Sequence, residues 1–97
     1  MFVPDPLEAK KTSQFKKDFK RIRHDAALKA EVIAVSAKLA ADIPLPESFR
    51  DNPLHNNWEG ARDCHVRPDV VLIYRKYGDV LKILKLERLD SHSELGL

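Results

Sequence analysis

The side chains of this sequence best suited to move protons, hold a metal or steady a negative charge are four histidines, one cysteine and scattered carboxylates and arginines. His24 falls between two helical segments and reads as a solvated turn residue. His55 lies in a loop rich in Pro and Asn; loops carry function, yet a lone loop histidine is usually inert. His65 sits in an expected strand, and His92 follows the last strand between Ser91 and Ser93. A zinc site built from Cys64, His65, His55 and His92 has the right atom types. However, Cys64 and His65 are adjacent in a strand, so their side chains leave on opposite faces, and neither a Cys-x-x-Cys nor a His-x-x-x-His pair is present. No metal is therefore expected. Cys64 has no motif around it that would make it a nucleophile. Gly60, Gly78 and Gly96 form no phosphate loop, so no nucleotide or other small-molecule cofactor is expected.

What remains is a set gathered at strand ends: Asp63, His65 and Asp69 around one hairpin, with Arg88 and His92 after the last strand. In an antiparallel meander the start of the middle strand and the end of the last one meet at the same edge, which lets Asp69 approach Arg88 and His92. Cleaving RNA without a metal needs a base for the 2'-hydroxyl proton, an acid for the departing 5'-oxygen, and a cation for the charge gathering on phosphorus. Histidine, aspartate and arginine meet these needs. A Pro-Asp turn with a salt bridge to Arg88 explains the same residues without chemistry.

The elements that must position this set follow from periodicity. Leu7 to Lys11 is a candidate first strand, and Thr12 or Ser13 suits a helix cap. Phe15, Phe19 and Ile22 fall on one helical stripe; Asp25 is a possible second cap, and Leu28, Val32, Val35 and Leu39 form another stripe. Pro44, Pro46 and Pro53 make residues 42–57 an ordered loop. Trp58 to Arg67, Val70 to Tyr77 and Val80 to Glu87 read as three strands, separated by Arg67-Pro68-Asp69 and by Gly78-Asp79. Val70 to Tyr74 lacks polar alternation, as a central strand covered on both faces should. Ser91 to Leu97 is long enough for one helical turn. The expected fold is α+β: an antiparallel sheet packed against an N-terminal two-helix hairpin, in the order β-α-α-β-β-β, with residues 1–97 forming a single domain.

Composition bounds the setting. With 43% hydrophobic and 33% charged residues in 97 positions, the chain suits a globular domain. Its longest apolar run is far short of the roughly 18 residues of a membrane span. The N-terminus lacks the charged start and apolar core of a signal peptide, and a single cysteine fits a reducing compartment, so the expected location is the cytoplasm, away from any membrane. The net charge of +2 conceals an asymmetry: Met1 to Ala40 holds nine Lys/Arg and five Asp/Glu, and the remainder holds eight and ten. Within Lys10 to Arg23 only Asp18 opposes Lys10, Lys11, Lys16, Lys17, Lys20, Arg21 and Arg23. Such a face is either solvated or phosphate-binding.

Asp51-Asn52-Pro53-Leu54, Trp58-Glu59-Gly60, Arg62-Asp63-Cys64-His65-Val66, Arg67-Pro68-Asp69, Leu72-Ile73-Tyr74, Glu87-Arg88 and Ser91-His92-Ser93-Glu94-Leu95 together resemble the YafQ branch of the RelE/ParE toxin superfamily. The blocks keep the family's order and spacing over nearly the whole chain, including the loop entry Pro44-Leu45-Pro46. The resemblance implies a RelE-like fold and an mRNA interferase: a type II toxin that enters the 30S A site of the ribosome, cuts mRNA there, and is silenced by a cognate DinJ-like antitoxin. By the same resemblance His65, Asp69 and His92 match catalytic positions and Arg88 the phosphate-binding arginine. His92 would donate the proton, Asp69 or His65 would accept one, and the basic residues from Lys10 to Arg23 would lie along ribosomal RNA.

Three positions depart from the family pattern. Asn52 stands where Asp-His-Pro-Leu carries a histidine; an amide can bind phosphate but does not shuttle a proton at neutral pH, and His55 lies in the same loop. Val70 replaces a frequent tryptophan, and Gly96-Leu97 ends the chain where an aromatic able to stack on a base is common. Two other functions suit these departures: a toxin fold that binds its antitoxin without catalysis, and a ParE-like gyrase inhibitor.

Overall fold

Thr12 and Asp25 each begin a helix in the same way. Thr12 Oγ1 accepts the N–H of Phe15 at 3.0 Å, and Asp25 Oδ1 accepts that of Leu28 at 3.0 Å. Each bond satisfies a donor that the first helical turn leaves without a partner. The helices they start, α1 (Ser13–Arg21) and α2 (Ala26–Ala40), belong to a computed structural model that describes residues 9–77 and 83–97. No helix among these residues is long and apolar enough to cross a membrane.

The helices cover one face of a five-stranded sheet built from β1 (Lys10–Lys11), β2 (Asn52–Pro53), β3 (Arg62–Arg67), β4 (Val70–Tyr77) and β5 (Ile83–Asp90), in the order β1-β5-β4-β3-β2. β2 through β5 pair antiparallel, as expected. β1 corrects the purely antiparallel reading: it runs parallel to β5. Parallel neighbours need a long crossover, which the intervening helices and strands supply. Thr12 fastens that edge, donating its N–H to Leu86 O at 3.1 Å and its hydroxyl to Glu87 O at 2.6 Å.

Three boundaries also shift. Residues 52–53 form a short edge strand inside the expected loop, where Pro53 is tolerated because an edge needs no N–H from it. Trp58 closes a 3-10 turn, Asn56–Trp58, and β3 starts only after Gly60, whose φ of 87° turns the chain in. β5 runs to Asp90, beyond the expected Glu87. The Gly78-Asp79 separator and the start of the first expected strand at Leu7 lie outside the described residues.

Packing divides at the sheet. On the helical side Phe15, Leu28, Val32, Val35 and Leu39 meet Cys64, Leu72, Tyr74, Leu84, Leu86 and Leu89. On the other side Ala61, Val71, Ile73 and Leu95 form a smaller cluster, joined by Leu54 and Trp58. β4 is thus buried on both faces, which explains its unbroken apolar run. Each such Leu, Ile or Val contributes about 1.5–3 kcal/mol of burial. Leu95 matters most for the site. It lies in the turn after β5, where its N–H reaches Ser91 O at 3.1 Å and the Ser91 hydroxyl accepts from Glu94 N at 3.3 Å. Burying Leu95 folds the tail back over the sheet.

Candidate active site

Asp63 and His65 are two residues apart on β3, so the period of a strand puts both on one face. Their partners across the ladder are Ile73 and Val71, which belong to the cluster away from the helices. The folded-back tail brings His92 to the same place. The ligand atoms of Asp63, His65 and His92 all lie within 4.8 Å of one another, and the two imidazole rings are 5.7 Å apart between centroids, inclined at 48°. Asp63 is buried, His65 half-buried and His92 exposed, so the group opens from a closed floor to solvent. Burial holds the Asp63 carboxyl above its usual range, and attraction to His65 and His92 opposes that rise. Two imidazoles within 4.8 Å of one desolvated carboxyl are placed to relay a proton between groups of a bound substrate.

One register row crosses the sheet through this carboxylate: Asn52 pairs with Asp63, Asp63 with Ile73, and Ile73 with Arg88. Arg88 is therefore two strand spacings, about 10 Å of backbone, from Asp63. Its guanidinium is anchored. Nε donates to Asp18 Oδ2 at 2.9 Å and Nη2 to Asp18 Oδ1 at 3.3 Å, with Asp90 Oδ2 at 3.6 Å from Nη2. These contacts leave Nη1 directed to none of them. Asp18 also accepts the N–H of Leu89 at 3.0 Å and bonds from Gln14 and Arg21. Burial alone would raise the Asp18 carboxyl; the Arg88 bond, the Leu89 N–H and Gln14 outweigh it and hold the group below its ordinary value.

The remaining expected residues are spread more widely. Asp69 is exposed at the β3–β4 turn and lines a groove with Asp18, Arg21, Asp90 and Ser91. It shares that groove with the end of β5, whereas the expected approach to Arg88 is made by Asp18 and Asp90. The carboxylate brought within 4.8 Å of both imidazoles is Asp63. Asn52 is exposed beside Asp63 and donates through Nδ2 to Arg50 O at 2.9 Å. His55 is exposed at the start of the 3-10 turn. Lys10, Lys11, Lys16, Lys17, Lys20, Arg21 and Arg23 are all exposed, and Arg21 pairs with Asp18 and Asp90. Cys64 is sealed under the helices, its thiol pushed up to about 12 chiefly by burial. That excludes it from a site shared with His65.

Asp63 belongs to the strand-end set without a role assigned to it there, and Asp18 is signalled in the sequence without standing out in it. Asp63 sits at i−2 from His65 in a strand, the spacing that shares a face. Asp18 lies three residues after Phe15 on the buried stripe of α1, where a charge must find a partner. The Asp63, His65 and His92 donor set also suits a divalent metal of the zinc or copper type, with two nitrogens and one oxygen. A donor set sought around Cys64 points to the opposite face of the sheet and so passes over this one.

Residues 7–96 match the family model for the bacterial toxin of type II toxin-antitoxin systems, YafQ. The chain is similar to the mRNA interferase toxin YafQ of Escherichia coli strain B / BL21-DE3, at 38% identity across 87% of this chain and 89% of the relative. Its backbone is similar to YafQ in the crystal structure of the E. coli DinJ-YafQ complex, with a TM-score of 0.77 and 34% identity over 90% of this chain and 94% of the other. A copper-bound mutant toxin from Helicobacter pylori has a TM-score of 0.79 and 34% identity over 91% and 97% of the two chains. On sequence and backbone alike, this chain belongs to the YafQ family of bacterial type II toxins.

Proposed function

We propose that this chain is a ribosome-dependent mRNA endoribonuclease, acting in the cytoplasm by general acid–base catalysis without a metal and silenced by a DinJ-like antitoxin. The observation that carries the reading is the meeting of Asp63, His65 and His92 within 4.8 Å. The name and complex of the E. coli relatives support the activity and the partner.

In this mechanism His65 takes the proton of the ribose 2'-hydroxyl, and the oxygen attacks phosphorus. His92, exposed on its turn, gives a proton to the departing 5'-oxygen. The products are a 2',3'-cyclic phosphate and a 5'-hydroxyl. Asp63 stabilises the imidazolium as it forms. His65 is preferred over Asp69 as the base because it lies beside both Asp63 and His92. Arg88, held by Asp18 through Nε and Nη2, offers Nη1 to the phosphate. The exposed basic residues from Lys10 to Arg23 run along ribosomal RNA as phosphate contacts.

His92→Gln tests the reading. It should lower mRNA cleavage by at least about 100-fold, the smaller end of general acid–base contributions, while antitoxin binding persists. A fully toxic His92→Gln protein would refute it. Intact mRNA on expression without antitoxin would instead indicate a binding module, and DNA damage signalling with uncut mRNA a gyrase inhibitor.

A second reading of the same three side chains is a divalent-metal site, favoured by their donor set and by the copper-bound relative. A metal there would draw on the lone pairs that proton transfer uses, so its occupancy would oppose cleavage.

A further inference from the structure

His65 has a neighbour that the proton-transfer set does not use. A groove of about 300 Å³ opens beside it, lined by Ser48, Phe49, Arg50, Arg67 and Pro68 as well as by His65 itself. That volume is at the small end of the roughly 300–1,000 Å³ typical of ligand sites, enough for one nucleotide rather than a folded partner.

The charge in the groove is distinctive. Arg21, Arg62, Arg67, Arg75 and Arg88 are each paired with a carboxylate. Arg67 lines the groove but has Nε on Glu31 at 2.7 Å and Nη1 on Asp25 at 3.2 Å. Arg23 and Arg50 are exposed and engage no carboxylate among the described residues, and of these two Arg50 lines the groove. It ends the 3-10 turn Glu47–Phe49 in the left-handed region, at φ 48° and ψ 50°, which a residue with a Cβ adopts at a cost. An unneutralised guanidinium is thus kept at the groove, next to the apolar surfaces of Phe49 and Pro68 and an imidazole. A planar, permanently charged donor fork suits a phosphate, and flat apolar walls suit a ribose and base.

We propose that this groove is a nucleotide subsite: it takes the RNA residue adjoining the scissile phosphate, with a phosphate on Arg50 and the ribose and base along Phe49 and Pro68. The inference rests on the ribonuclease reading above and extends it to substrate positioning. A strand crossing His65 and His92 must pass this wall, so its neighbouring nucleotide fixes how the reacting phosphate sits between the imidazoles.

The test uses the full chain and a short single-stranded RNA with 2'-O-methyl groups, which cannot undergo attack by its own 2'-oxygen. Arg50→Gly removes the charge yet accepts the left-handed backbone without strain, so folding is kept. Arg50→Lys keeps the charge. Arg50→Gly should weaken binding about tenfold, the loss of one charged hydrogen bond, and reduce the slope of log affinity against log salt by about 0.7, the value for one single-strand phosphate. Arg50→Lys should retain the slope. Nuclear magnetic resonance shifts on RNA addition should fall on residues 48–50 and 65–68. Unchanged affinity and slope in Arg50→Gly, or no binding by the unaltered chain, would overturn the subsite. A chain that binds as described but leaves unmodified RNA uncut on the ribosome would overturn the ribonuclease reading alone.

Discussion

Asp18 Oδ2 accepts the Nε–H of Arg88 at 2.9 Å from a carboxylate side chain that has no solvent exposure. The one acidic residue in the basic run is therefore what ties α1 to the strand leading to His92. Its partners account for the burial: besides Arg88 it takes the backbone N–H of Leu89, so a single carboxylate fixes the guanidinium and the strand together. A buried charge with such partners is worth little against an apolar substitute but much against a broken pair.

Asp18→Ala should accordingly cost about 2–4 kcal/mol, because it removes both hydrogen bonds from the Arg88 guanidinium to Asp18 and leaves the Leu89 N–H without its acceptor. Urea denaturation measures this. Asp18→Asn, which keeps an acceptor for Leu89, should cost less. The pH dependence has a definite sign. The Asp18 carboxyl is held below its unfolded value, so its stabilisation is present above the ordinary value of 3.8 and is lost as pH falls through the lower folded value. The acid-side loss of stability should flatten in Asp18→Asn; an unchanged profile would mean that other carboxylates govern acid unfolding.

Asp63 should behave in the opposite direction. Burial raises its carboxyl, so the folded chain holds that proton more tightly than the unfolded one. Its contribution is therefore greatest at low pH and declines as pH rises from the unfolded value through the raised folded one. Asp63→Asn removes a desolvated charge and should stabilise the protein by roughly 0.5–2 kcal/mol at neutral pH while slowing cleavage, the trade expected of a functional group under strain. Thermal unfolding and single-turnover cleavage of the same variant decide it. A variant both less stable and equally active would assign Asp63 a structural role only.

Metal addition and removal separate the two proposed roles of Asp63, His65 and His92. Chelation with EDTA, in an assay whose ribosomes are re-supplied with magnesium, should leave cleavage intact. Copper or zinc at low concentration should inhibit, and His92→Gln should bind the metal more weakly because one of three donors is gone. Titration calorimetry reads the binding, and stimulation of cleavage by either metal would contradict the acid–base mechanism.

Much of this arrangement is legible in the chain itself, and its gaps have physical causes. The caps at Thr12 and Asp25, the stripes from Phe15 to Leu39 and the doubly covered β4 are local patterns, and local patterns survive folding. The alternation of Cys64 and His65 correctly puts the thiol out of reach of a shared metal. Asp63 and Asp69 both appear in the strand-end set, but the resemblance carries a role only for Asp69, whereas the fold sets Asp63 beside both imidazoles. The pairing of Arg88 with Asp18 joins residues 70 positions apart, and nothing in either local sequence names the other. The parallel β1–β5 contact escapes a sequence reading for the same reason, being the product of the longest connection in the fold.

Asn52 offers the sharpest test of how complete the catalytic set is. It pairs in register with Asp63, on an exposed edge strand where the family pattern carries a histidine. The amide cannot transfer a proton at neutral pH, so in the proposed mechanism proton transfer falls to His65 and His92 alone. Asn52→His would put an imidazole beside Asp63 at the loss of one exposed bond, from Asn52 Nδ2 to Arg50 O. An exposed site of this kind should change stability by no more than about 0.5–1 kcal/mol. Cleavage should rise about tenfold if proton transfer limits the rate, a modest part of what a positioned acid or base can supply. The comparison is made in single-turnover conditions on programmed ribosomes across pH, with antitoxin affinity measured alongside to confirm an intact fold. A rate that stays level at every pH would mean that the two histidines already saturate proton transfer, and that the asparagine at this edge serves to hold the Arg50 turn rather than to mark a missing catalyst.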